Sequence, residues 1–112
     1  MYNHMVARIS DDSLNQVLRA LADATRRDIL RRTANGKVSV SGLTEEYDMS
    51  FAAVQKHVAV LERAGLVAKD SVGRERLVTA KPKQLARARA ALQQLEDLWR
   101  HRLEALDRVL SE

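Results

Sequence analysis

Ser50-Phe51-Ala52-Ala53-Val54-Gln55-Lys56-His57-Val58-Ala59-Val60-Leu61-Glu62-Arg63-Ala64-Gly65-Leu66-Val67 is the stretch on which the fold turns. It spells one helix with both ends marked. Ser50 suits the N-cap, because its hydroxyl can accept from an unpaired amide of the first turn. Met49 and Val54 stand at the two positions of a hydrophobic staple. Gly65 can take the left-handed conformation that ends a helix, after which Leu66 folds back on Leu61. Val54, Val58 and Leu61 recur at i, i+4, i+7 and form one buried stripe. Ser50, Phe51, Ala52, Gln55 and Lys56 are left on the outward side of the N-terminal half. Such a face suits a DNA major groove: short side chains admit the backbone, an amide meets base edges and a cation meets phosphate. An isolated amphipathic helix with a solvated polar face reads the same way, so the flanking chain has to decide.

Upstream, Met1 to Ile9 read as a loose arm, and Met5 is an alternative start. Ser10 caps a first helix over about Asp11 to Ala22, with Asp11 and Asp12 favourable to its dipole. Ile9 and Leu14 take staple positions, and Leu14, Val17, Leu18 and Leu21 make its apolar face. Asp23 caps a second helix, Ala24 to Arg32, whose Ile29 and Leu30 face inward and whose arginines coat the surface. Asn35-Gly36 is a turn signal. Val38-Ser39-Val40 is β-branched and extended, and Ser41 is the expected cap of a third helix, Gly42 to Tyr47, with Leu43 in the core. Asp48-Met49-Ser50 then joins it to the opening helix, which makes a helix-turn-helix.

Downstream, the period changes. Leu66 to Asp70 is extended, Ser71-Val72-Gly73-Arg74 turns, and Glu75 to Thr79 returns. A hairpin directly after a recognition helix is a wing, and Lys69, Arg74 and Arg76 put cations on or near its tip. The plainer alternative is a hairpin that only covers the edge of the core. Pro82, the only proline, suits the first turn of a last helix. From there Leu85, Ala88, Leu92, Leu95, Trp99, Leu103, Leu106 and Leu110 recur every three or four residues. That helix would run about 42 Å. Three short helices and a hairpin cannot cover so long a seam, so a second subunit is the simplest partner.

Composition agrees. The chain has 112 residues with 46% hydrophobic and 30% charged content, which is one ordinary globular domain. Aromatics at 4% leave an aliphatic core. A formal charge of +4 permits a polyanionic partner. The absence of cysteine excludes disulfides, thiolate metal sites and cysteine nucleophiles. No apolar run approaches the roughly 20 residues of a membrane span, and the N-terminus lacks a signal-peptide core. The expected location is cytoplasmic.

These residues resemble the ArsR/SmtB family of winged-helix repressors. Leu21-Ala22-Asp23-Ala24-Thr25-Arg26-Arg27-Asp28-Ile29-Leu30 looks like the family's second-helix signature. Ser50 through Val67 looks like its recognition segment, and Gly73 and the long last helix also fit. The resemblance spans residues 12 to 110. MarR-type regulators share the winged helix but are longer, with more helix at each end. The implied protein is a homodimeric repressor on a palindromic operator, dimerising through its first and last helices and released by an effector that the sequence does not name.

Two family metal sites can be tested on the sequence. Arsenic, cadmium and lead sensors carry Cys-Val-Cys at the start of the third helix, where this chain has Ser39-Val40-Ser41. Hydroxyls are not soft thiolate ligands, which speaks against an arsenic or cadmium response. A second site lies between the last helices. Asp97, His101 and Glu104 share a face there at i, i+4, i+7, but the second histidine that site wants is missing. No metal and no cofactor are expected.

The expectation is therefore a mainly α chain with a small β-hairpin: one winged helix-turn-helix domain over residues 1–112. Helices 1 and 2 take 10–36, the helix-turn-helix 41–65, the wing 66–79 and the dimerisation helix 82–111. Double-stranded DNA would be met by Ser50, Phe51, Ala52, Gln55, Lys56, His57, Arg74 and Arg76. Leu14, Leu18, Leu92, Leu95, Trp99, Leu103 and Leu106 would form the dimer interface. The alternative function is a winged-helix protein-interaction module without specific DNA binding. An enzyme is rejected: His4, His57 and His101 sit on separate elements, and no catalytic arrangement or phosphate loop is recognisable.

Overall fold

A computed structural model describes residues 8–111. The expected arm, with Met5 and His4, lies outside them apart from its last two residues. Five helices and a three-stranded antiparallel sheet follow in the order α1 (Asp11–Leu21), α2 (Ala24–Thr33), β1 (Val38–Ser39), α3 (Val40–Glu46), α4 (Phe51–Arg63), β2 (Val67–Val72), β3 (Glu75–Ala80) and α5 (Pro82–Ser111). This is the winged helix-turn-helix read from the sequence.

The helix starts are set by side-chain caps. Ser10 Oγ accepts from Ser13 N, Asp23 Oδ2 from Arg26 N and Ser50 Oγ from Ala53 N, at 3.1, 3.0 and 3.1 Å. Each satisfies an amide that the first helical turn leaves without a partner. α4 ends as its glycine requires. Leu66 N donates to Leu61 O and Gly65 N to Glu62 O, both at 3.0 Å, with Gly65 at φ +79°. This paired closure fixes where the recognition helix stops and the wing begins.

The cap of α3 is Ser39, not Ser41. Ser39 Oγ accepts from Gly42 N at 2.9 Å, and the helix starts at Val40. The reason is burial. Val40 is 1% exposed, so the core draws it in. Ser39 pairs with Leu77 on β3 and is already in the extended conformation an N-cap needs. That pairing makes the Val38 segment a third strand, in the order β1-β3-β2, where only a hairpin was expected.

The hairpin turn is also shorter than its sequence suggested. Pairing continues through Ser71 with Arg76 and Val72 with Glu75, which leaves only Gly73 and Arg74 in the turn. Gly73 supplies φ +62° at the first turn position, as a tight hairpin with the twist of its strands requires. Lys69 pairs with Val78 toward the base of the wing, so it is not a tip residue.

One core joins these elements. Val17 and Ala20 of α1, Ile29 of α2, Leu43 of α3, Val54, Val58 and Leu61 of α4, and Val78 of β3 are at most 2% exposed. α5 enters that core only through Ala88. The rest of the helix runs on past the body, and the described chain extends 67 Å along its long axis against 32 and 25 Å across. No helix among the described residues is long and apolar enough to cross a membrane.

Candidate nucleic-acid interface

Burial of Val54, Val58 and Leu61 orients α4. The opposite face carries Ser50, Phe51, Ala52 and Lys56 exposed and Gln55 partly exposed. Phe51 keeps 44% of its surface open, a large apolar ring on an otherwise polar face. The wing stands beside this helix. Arg74 is exposed in the turn, and Arg76 reaches from β3 to α4, where its Nη1 donates to Gln55 Oε1 at 3.2 Å. The two elements expected to meet DNA are thus linked through the two side chains most suited to it. Asp70 and Glu75 also lie exposed on the wing, so its charge is mixed.

His57 is placed differently from its neighbours. Its side chain is 21% exposed, and Nδ1 lies 3.2 Å from Arg26 Nη1 and 3.8 Å from Asp23 Oδ2. A guanidinium has only donors, so Nδ1 accepts and the ring proton sits on Nε2. Asp23 is held below the ordinary carboxylate range, first by the backbone N–H of Arg26 and further by the charge of the Arg26 guanidinium.

Arg26 and Arg27 do not simply coat the surface. Arg26 Nε donates to Ala20 O at 2.8 Å and Nη2 to Arg19 O at 2.9 Å, while Arg27 Nη1 donates to Leu21 O at 2.7 Å. These are carbonyls at the C-terminal end of α1, where a helix leaves acceptors unpaired and favours cations. Only Ala22 and Asp23 separate the two helices, so the first turn of α2 lies over the last turn of α1. That short connection was the signal for this clamp, and reading the arginines as a surface coat missed it. A second network ties α2 to α3. Tyr47 Oη donates to Asp28 Oδ2 at 2.5 Å, Arg32 Nε donates to the same oxygen at 2.9 Å, and Arg32 Nη1 pairs with Glu46 at 3.3 Å. Arg32 also stacks 5.6 Å over the Tyr47 ring. The Tyr47 hydroxyl is pushed up to about 12, by burial first and by Asp28 second. Asp28 is lowered by Tyr47 first, then by Arg32.

The residues expected at a dimer interface fall into two groups. Leu14 packs partly buried against its own core. Leu18 joins Leu21, Leu85, Ala88 and Leu92 around an apolar groove of about 250 Å³ between α1 and α5. Leu95, Trp99, Leu103 and Leu106 lie further along α5, 53 to 69% exposed. Leu98, Val109 and Leu110 widen this apolar surface. Near them, Asp97 Oδ1 accepts from Gln93 Nε2 at 3.0 Å and from Arg100 Nη1 at 3.5 Å.

Comparison with known proteins agrees with this geometry. Residues 21–70 match the helix-turn-helix domain family. The chain is 38% identical over 80 residues to the HTH-type transcriptional regulator Rv2034 of Mycobacterium tuberculosis, covering 71% of this chain and 75% of that protein. It superimposes on an ArsR-like transcriptional regulator from Rhodococcus sp. RHA1 with a TM-score of 0.80 at 31% identity, over 89% of this chain and 92% of the other. A homodimeric winged helix-turn-helix DNA-binding domain from Mycobacterium bovis, Mb0332, a possible ArsR-family regulator, matches with a TM-score of 0.62 at 26% identity, over 82% and 91%. The chain belongs to the ArsR family of DNA-binding transcriptional regulators.

Proposed function

We propose that the protein acts as a homodimeric repressor on a palindromic operator. The observation that carries this reading is the open apolar stripe of α5, with Leu92, Leu95, Trp99, Leu103 and Leu106 each 44 to 69% exposed. A contiguous apolar seam of that length on a single chain calls for a partner surface. A second α5 supplies the same stripe by two-fold symmetry, and such an interface is self-complementary. The homodimeric state of the Mycobacterium bovis domain supports this choice. The pair of recognition helices would then sit in successive major grooves roughly 34 Å apart, which demands a two-fold symmetric site.

In that complex Gln55 reads a base edge, and Ala52 and Phe51 touch thymine methyl groups. Ser50 and Lys56 hold phosphate. His57 meets the backbone through Nε2, because Nδ1 is taken by Arg26. Arg74 follows the backbone or minor groove beside the wing, and Arg76 meets the duplex next to Gln55, the side chain it contacts. A dimer seated across a promoter excludes polymerase, which is the repressor's mode. A fluorescence-anisotropy titration against the promoter of its own gene and a scrambled control, at two salt concentrations, tests the proposal. Preferential, salt-sensitive binding of two protomers per duplex is expected. Equal weak binding to both duplexes, or one protomer per site, would overturn it.

A further inference from the structure

We propose that Arg76 is a specificity-determining residue: by holding the Gln55 side-chain oxygen, it makes Gln55 a hydrogen-bond donor that selects guanine over adenine. This rests on the reading of Gln55 as a base contact. A glutamine amide ends in one acceptor oxygen and one donor NH2 group, whereas a guanidinium carries donors only. The end of Gln55 that meets Arg76 Nη1 at 3.2 Å is therefore the oxygen. The NH2 group points away from that contact.

Glutamine reads adenine by presenting oxygen and nitrogen side by side, the oxygen to N6–H2 and the nitrogen to N7. With Oε1 turned to the wing, that paired presentation is lost. The surface left for a base is the Gln55 NH2 group with the Arg76 guanidinium beside it, and both only donate. Guanine offers two acceptors, N7 and O6, on the same groove edge. Adenine keeps the N7 acceptor but sets its N6–H2 donor against the second of these donors and leaves that one unpaired, which is costly once water is excluded. The charge on Arg76 strengthens its hold on Oε1. The fold supplies the reach. Arg76 lies opposite Ser71 one pair back from the two-residue turn, so it stands on a paired strand beside α4. Both side chains meet at the surface, so truncating either leaves the core intact.

The test is selection of binding sites from a random duplex library by the full chain and its Gln55→Ala and Arg76→Ala variants, followed by anisotropy titration of single-base substitutions in the selected site. Circular dichroism melting confirms that each variant is folded. The wild-type site should carry a guanine, preferred over adenine by about tenfold, at a position whose preference vanishes in Gln55→Ala. Arg76→Ala should shift that same position toward adenine, because the freed Oε1 restores the bidentate pairing. Three outcomes overturn the proposal. An adenine at the Gln55 position of the wild-type site does so directly. A uniform loss of affinity in Arg76→Ala, with guanine still preferred, makes Arg76 a phosphate contact while Gln55 remains a reader. If Gln55→Ala alters no position, the base-contact reading itself falls.

Discussion

Arg26 joins α1 to α4 through His57: one guanidinium donates to two carbonyls of α1, at 2.8 and 2.9 Å, and to His57 Nδ1 of α4 at 3.2 Å. The first two bonds go to carbonyls in the last turn of α1, where backbone partners run short: Arg19 O also accepts from Ala22 N at 3.2 Å, and Ala20 O takes the guanidinium. A charged donor to such an acceptor contributes about 1–3 kcal/mol. Arg26→Ala should therefore lower stability by about 2 kcal/mol, and Arg26→Lys should recover little, because one ammonium cannot reproduce a planar three-way fork. Denaturant unfolding of Arg26→Ala, His57→Ala and the double variant measures the link. A coupling energy of roughly 0.5 kcal/mol or more between the two positions is expected. Strict additivity would mean that the bond to His57 contributes nothing.

Tyr47 and Asp28 give the fold a distinct response at each end of the pH scale. Tyr47 is pushed from 10.0 to about 12, chiefly by burial. A raised folded-state value means that its stabilisation is complete below pH 10 and is lost as pH rises toward 12. Asp28 is lowered from 3.8, so its contribution is present above that pH and is lost as pH falls through the folded value. Asp23, lowered in the same way by the backbone N–H of Arg26, adds to the acid limb. Ultraviolet titration should show Tyr47 ionising late, and Tyr47→Phe should remove that late step and flatten the alkaline loss of stability. An unchanged late step in Tyr47→Phe would refute the assignment.

Lys56 and Gln55 are neighbours on α4 with opposite expected signatures. Lys56 is exposed on the outward face and carries a charge suited to phosphate. Lys56→Ala should weaken every duplex alike and reduce the salt slope of log K by about 1 per protomer. Gln55→Ala should cost about 1–3 kcal/mol on the preferred site, relax selectivity and leave the slope unchanged. Titrations on specific and scrambled duplexes across a salt series separate the two roles. Reversed signatures would exchange them.

Most of this architecture was legible because its signals are local. A cap, an i, i+4, i+7 stripe and a closing glycine each depend on a few adjacent residues, and Ser50, Val54, Val58, Leu61 and Gly65 all behave as their spacing implies. What was not legible depends on distant partners. Ser39 and Ser41 are equally good caps by chemistry, and the choice was made by burial of Val40 and pairing with β3. The contact of Arg76 with Gln55 spans 21 residues and exists only because the hairpin pairs up to Gly73 and Arg74. The roles of Arg26 and Arg27 follow from the packing of α2 over the end of α1, which no periodicity within α2 encodes. The apolar excess of α5, by contrast, could be read directly, because a long stripe needs only counting.

Trp99 makes that excess measurable. It is the only tryptophan in the chain and lies 69% exposed in the middle of the α5 stripe. In a dimer sealed along α5 its indole leaves water, so its emission should shift to the blue with rising protein concentration and back to the red on dilution. The stripe can be broken without touching the core, because Leu95 and Leu106 are each 53% exposed. Complete burial of such a side chain contributes about 1.5–3 kcal/mol, and a two-fold interface counts each substitution twice. Leu95→Glu with Leu106→Glu should therefore weaken dimerisation by roughly a hundredfold or more. The circular dichroism spectrum should keep the folded shape, and Trp99 emission should stay red at all concentrations. Sedimentation equilibrium gives the independent check: the variant should sediment as a monomer where the wild type is a dimer. DNA affinity should fall with it, since each half-site would then be bound separately. A variant that stays dimeric, with blue-shifted Trp99, would place the interface on another face of the molecule.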